Sequence, residues 1–172
     1  MRLRIPKEIL DQWLEALERA DGTEIGGVLF GEQVDIGDFR ILDAAPQRFW
    51  RGTATSFRRH GGSARRKILT LHQKIGGNPL LYNYLGEWHS HPNAPAWPSI
   101  QDEITMNNLL SEQGEAVNFL VLVIVKLDVQ ASIQIGARTY LASGHKLACN
   151  IVIEDTNTNS ESNILCNEKD ME

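Results

Sequence analysis

Apolar residues at the start of the chain recur at helical spacing. Ile9, Leu10, Trp13, Leu14 and Leu17 share one face, and Lys7, Asp11, Glu15 and Glu18 lie largely opposite. The pattern predicts a helix over 6–20, with Pro6 in its first turn and Asp21-Gly22 at its end. Ile25 to Val34, rich in glycine and β-branched residues, then a Gly37-Asp38 turn, then Phe39 to Ala45 read as a β-hairpin. A second helix is predicted over 63–75, closed by Gly76-Gly77, followed by a strand over 81–91 and a proline-punctuated loop over 92–98. A third helix is expected to begin at Ser99 and run to Gln113, with Gly114 as its stop. Residues 118–127 are apolar on both faces, as a strand at the centre of a sheet requires, and 131–142 alternate as a neighbouring strand would. Beyond Glu154 the chain turns polar and mostly acidic, so one domain over 1–153 is expected to carry a disordered tail over 154–172.

Length and composition narrow the class. A chain of 172 residues with 42% hydrophobic and 23% charged positions has the makings of one globular domain with a real core. Its net charge of −5 argues against a protein that coats nucleic acid. The longest apolar run, Phe119 to Val125, is far short of the roughly 20 residues that a membrane span needs. The first residues lack the apolar stretch of a secretory signal, so a cytoplasmic location is expected. Cys149 and Cys166 form no paired motif and read as free thiols. Charge is unevenly spread: between Ala44 and Gly86 there is no Asp or Glu but a net +8 from Arg48 to Lys74, leaving −13 on the remainder. Such a cluster is most often a solvated helix face, with docking of an acidic partner, or less readily of nucleic acid, as the functional alternative.

The chemistry concentrates in His89-Ser90-His91-Pro92, followed after six residues by Ser99-Ile100-Gln101-Asp102. Residues two apart on a strand project from the same face, so His89 and His91 can aim both imidazoles at one point while Ser90 faces away. Asp102 falls in the first turn of the next helix, and a loop folding that helix back over the strand brings its carboxylate to the same point. Two imidazoles and a carboxylate make a three-ligand zinc set with a fourth position left for water, the mark of a catalytic site. Each half has a plainer reading alone. A His-x-His pair on a sheet usually marks two half-buried histidines, and Ser99-x-x-Asp102 is a helix capping pattern. Both together, in this order, favour metal. Glu24, directly ahead of a core strand in Glu24-Ile25-Gly26-Gly27-Val28-Leu29-Phe30-Gly31, is the candidate proton acceptor; otherwise it ends the Asp21-Gly22 turn in solvent.

Glu24 with its following strand and the run from His89 to Asp102 together resemble the JAB/MPN+ (JAMM) zinc metalloproteases, whose signature is a glutamate, then His-x-His-Pro, then Ser-x-x-Asp. The resemblance implies an α/β fold, a cytidine deaminase-like α/β/α sandwich around a curved mixed sheet. It assigns His89, His91 and Asp102 to one zinc ion per chain, Glu24 to general acid/base work and Ser99 to the oxyanion of the tetrahedral intermediate. The wording of Tyr84 to Pro92 is similar to a bacterial branch found beside fused ubiquitin-activating/conjugating (E1–E2) enzymes in CBASS anti-phage operons. That likeness implies an isopeptidase acting on a cGAS-like nucleotidyltransferase conjugated through its C-terminus. A peptidase maturing a ubiquitin-like or sulfur-carrier protein, and a non-catalytic binding module, stay open as alternatives. Trp97, in the loop beside Pro98, is a candidate substrate contact, whereas Trp88 serves either the core or a substrate groove.

Overall fold

The computed structural model of the chain describes residues 1–46, 70, 73, 82–113, 117–155 and 161–164. Apart from Thr70 and Gln73, the helix predicted over 63–75 lies outside them, and so do the basic cluster and most of the predicted tail. Strand β1 (Arg2–Pro6) leads straight into helix α1 (Lys7–Ala20), and β2 (Gly26–Asp35) and β3 (Asp38–Asp43) form the expected hairpin. Then come β4 (Tyr82–Ser90), helix α2 (Ile100–Glu112), β5 (Phe119–Leu127), β6 (Ile133–Leu141), β7 (Lys146–Ala148), β8 (Asn150–Glu154) and β9 (Glu161–Ile164).

Strand β5 organises the layers. Its odd residues, Val121, Val123 and Val125, pack with Ile9, Trp13 and Leu17 of α1. Its even residues, Leu120, Leu122 and Ile124, pack with Met106, Leu109 and Leu110 of α2. One strand thus supplies both cores by its period of two, and the helices stand on opposite faces of the sheet. Each fully buried aliphatic side chain of this kind contributes about 1.5–3 kcal/mol relative to exposure. Trp88 is wholly buried and stacks on Trp13 at 5.4 Å between ring centres, so it belongs to the α1 core.

The sheet is mixed, with strand order β7-β6-β5-β4-β2-β3-β1-β8-β9 among the described residues. Strand β1 runs parallel to β3 and β8, and β4 parallel to β5. Strands β7 and β8 stand near opposite ends of that order, yet only Cys149 separates them in the chain. The sheet must therefore curl until its ends meet. Cys149 donates its backbone N–H to Ala137 O at 3.3 Å, and Asn150 donates to Met1 O at 2.9 Å, spanning the seam. The buried Cys149 thiol lies 2.9 Å from the Thr139 hydroxyl inside it.

Two features depart from the sequence reading. Arg2–Pro6 is a strand, and Pro6 caps the helix from outside instead of sitting in its first turn. With only Leu3 and Ile5 turned inward, five residues carry too little alternation to stand out. Strands β7 and β8 also escaped notice, being short segments whose pairing depends on the curl of the whole sheet, and so did β9, which pairs with β8 from within the stretch read as a tail.

An ion network braces β1, β2, β3 and β8. Arg4 grips Asp38 with two bonds, at 2.9 and 2.8 Å, and Arg40 joins Glu154 at 2.7 Å and Glu32 at 2.7 Å. Hydrogen bonds from Arg4 hold the Asp38 carboxyl below its ordinary range despite burial. Replacing Asp38 with asparagine should cost about 2 kcal/mol at pH 7. Because the folded pKa is depressed, this stabilisation is present above the unfolded value of about 4 and lost as pH falls through the folded one. Urea unfolding should therefore separate wild type from Asp38→Asn at pH 7 and bring them together in acid; a constant gap contradicts it.

Candidate metal centre

Strand β4 lies between β2 and β5, and its register with both fixes where its histidines point. Gly86, at φ 145°, approaches β5 so closely that a Cβ would overlap the Val121 carbonyl. The register with β2 skips Leu85 at this bend, a bulge that re-aims the strand just ahead of His89. Gly26 pairs with His89, and the next pair is held by Ser90, whose N–H donates to Ile25 O at 2.7 Å and whose Oγ accepts from Ile25 N–H at 2.9 Å. Glu24 immediately precedes this clamped residue, within electrostatic reach of His89 and His91. The buried Ser90 faces away from the metal ligands, as expected, and it docks the segment that carries Glu24.

Ser99 is the N-cap of α2, in a reciprocal capping box. Its Oγ accepts from the Asp102 N–H at 3.2 Å, while its own N–H and hydroxyl donate to Asp102 Oδ2 at 2.7 and 2.6 Å. The cap locks the carboxylate in one orientation and leaves Oδ1 toward the histidines. His89 Nε2 lies 3.2 Å from Asp102 Oδ1, His91 Nε2 lies 3.4 Å from Oδ2, and the two Nε2 atoms are 3.0 Å apart. Tetrahedral zinc with bonds of about 2.0–2.1 Å has ligand atoms about 3.3 Å from one another. The Nε2–Nε2 separation is near that value, and each imidazole has one carboxylate oxygen within 3.4 Å, Oδ1 for His89 and Oδ2 for His91, so the donor set fits a small divalent ion. Among the described residues, His89, His91 and Asp102 form a group able to hold a metal ion.

The orientation of His91 is dictated by a main-chain group. Its Nδ1 lies 2.9 Å from the Pro95 carbonyl. A carbonyl only accepts, so Nδ1 carries a proton, and Nε2, which faces Asp102, is the nitrogen that would release its own to ligate a metal. This support was not read from the sequence; a proline in the following loop was its only sign. Burial alone would raise Asp102, yet hydrogen bonds from His89, His91 and Ser99 outweigh it and hold the carboxylate well below its ordinary range. For His91, burial opposes charge, but the bonds to Asp102 and Pro95 O prevail and raise it. Glu24 is 8% exposed; burial lifts its carboxyl above the ordinary value, and His89 and His91 pull it partly back. It therefore sits within electrostatic reach of the cluster, not in solvent.

The remaining residues take other places. Trp97 is half-buried, with the Arg138 guanidinium 4.6 Å over its ring. Glu87, on the face of His89 and His91, is buried beside the Tyr84 hydroxyl at 3.4 Å and does not join the cluster. His145 is exposed beside Ser143, while His60 and His72 lie outside the described residues. No helix among the described residues is long and apolar enough to cross a membrane.

Comparison with known proteins agrees with this architecture. A solution structure of a Desulfitobacterium hafniense protein is 21% identical, covers 90% of this chain and 95% of its own, and superposes with a TM-score of 0.60. One of a Salinibacter ruber protein is 21% identical, covering 94% and 97%, with a TM-score of 0.50. At such identity both bear on the fold alone. No curated protein matches the chain. The model of prokaryotic homologues of the JAB domain matches residues 6–136, which span β1's last residue, helices α1 and α2, Glu24 and the whole metal cluster. The chain belongs to this family of prokaryotic JAB-domain proteins.

Proposed function

We propose that the protein is a zinc-dependent isopeptidase that hydrolyses the amide joining the C-terminus of one protein to an amine of another. The observation that carries this reading is the convergence of His89 Nε2, His91 Nε2 and the Asp102 carboxylate within reach of one ion, with buried Glu24 beside them. Three protein donors leave one coordination position open, as hydrolytic sites do and closed structural sites do not.

When bound, zinc supplies Lewis acidity at the carbonyl and acidifies water towards a pKa of about 7. Glu24 accepts a proton from the water that attacks the carbonyl carbon. It returns that proton to the nitrogen as the C–N bond breaks. A buried carboxylate whose affinity for protons is raised suits both halves of the task. Ser99 Oγ turns its hydrogen from Asp102 Oδ2 to the developing oxyanion, and the Ser99 backbone N–H keeps its bond to that carboxylate meanwhile.

For the substrate we propose a cGAS-like nucleotidyltransferase of a CBASS anti-phage system, conjugated by the E1–E2 fusion of the same operon in the cytoplasm. The wording from Tyr84 to Pro92 supports this choice. The test is incubation of the metal-replete protein with a nucleotidyltransferase fused through its C-terminus to a carrier, with and without chelator, read by mass spectrometry. Cleavage at the junction, abolished by chelator and restored by zinc, is expected. Cleavage of a ubiquitin-like or sulfur-carrier precursor in its place would overturn the substrate. Tight binding of every conjugate with no cut would overturn the enzymatic reading.

A further inference from the structure

The loop between the two histidines and Ser99 rests on strands β5 and β6 by three contacts. Lys126 Nζ donates to the Ala94 carbonyl at 3.0 Å. Gly136 lies directly beneath Ala96 and Trp97: a Cβ there would overlap the Ala96 carbonyl oxygen and come within 3.2 Å of the Trp97 ring. Arg138 covers that ring from the next position on the same face of β6, and is itself tied to Glu103 of α2. The registers explain the arrangement. Gly26, His89, Ile124 and Gly136 form one row across β2, β4, β5 and β6, and Lys126 pairs with Gln134 two rows on, on the same face. The loop leaves His91, meets β5 at Lys126, and settles on β6 at a position without a side chain. Between the anchored carbonyls of Ala94 and Ala96 lies that of Pro95, which sets the proton position of His91. The same carbonyl also accepts the Trp97 N–H at 2.8 Å, closing the turn.

We infer that Gly136 and Lys126, far in sequence from the metal ligands, are positioning residues for the metal, acting through the loop that holds Pro95 O against His91. This rests on the reading of the cluster as a metal site. The mount determines which nitrogen of His91 is offered and where it points. Outer partners of this kind are worth about 10–100-fold in metal affinity when removed. In Gly136→Ala the loop must lift, and the Pro95 carbonyl moves with it. In Lys126→Met the Ala94 carbonyl loses its donor at the loop's near edge without disturbing any buried packing.

The experiment is zinc titration of the full chain in competition with a chromophoric chelator, for wild type, Gly136→Ala, Lys126→Met and Lys126→Arg. Thermal unfolding of the zinc-free forms is followed alongside. Zinc affinity should fall about 10–100-fold in Gly136→Ala and about tenfold in Lys126→Met. It should stay near wild type in Lys126→Arg, whose guanidinium reaches the same carbonyl. Zinc-free Lys126→Met should melt with wild type, so its loss cannot come from global destabilisation. If Gly136→Ala and Lys126→Met bind zinc as tightly as wild type, the inference is overturned while the metal site stands. If wild type takes up no zinc, the metal-site reading goes and this inference with it.

Discussion

Glu24→Gln should lower turnover by about 10²–10⁴-fold, the usual worth of a positioned general base, while zinc affinity stays within a few-fold of wild type. The expectation follows from where Glu24 lies. Ser90 clamps Ile25 from both sides of its peptide, so the neighbouring carboxylate has little freedom to move. It lies within electrostatic reach of both histidines and is shielded from solvent, and the burial raises its proton affinity. Glutamine keeps the shape and the capacity to accept a hydrogen bond, but it cannot take a proton from water. The loss should fall on kcat, with KM little changed, because the group acts on the reacting water and not on the remote parts of the substrate. Wild-type turnover in this variant would assign the proton transfer to another group.

Asp102→Asn should act at an earlier step, on metal uptake itself. Asparagine can still accept the Ser99 N–H, so the capping box is largely kept and α2 should hold its place. What disappears is the negative charge that compensates a divalent cation between two neutral imidazoles. Zinc affinity should fall by about 100-fold or more, beyond the range seen for outer partners, and turnover should fall in step. The two variants therefore separate the roles: one retains the ion and loses the proton transfer, the other loses both.

The parts of the fold that were legible from the chain are those whose patterning is local. The period of 3.6 marked α1, the uninterrupted apolar run marked β5, and the glycine turn marked the β2–β3 hairpin. The parts that were not legible depend on closure. Residues Arg2–Pro6 become a strand because β3 and β8 flank them, and β7 and β8 exist because the curled sheet has two edges to join. The site divides in the same way. His89, His91 and Asp102 announce themselves by spacing and residue type, and the Ser99 cap was visible as a helix start. Their supports were hidden for a physical reason. Pro95 acts through a carbonyl that every residue possesses, and Gly136 acts by lacking a side chain. The peptide clamp at Ser90 is set by strand register, which no short motif records.

The whole construction depends on one cation seated where the two Nε2 atoms and the Asp102 carboxylate converge. Equilibrium dialysis of wild type and Asp102→Asn against excess zinc, followed by elemental analysis, measures this directly. One zinc per chain in wild type, and essentially none in the variant after washing with a weak chelator, is the expected outcome. A wild-type chain that emerges empty, or a variant that keeps its full complement of zinc, would contradict it.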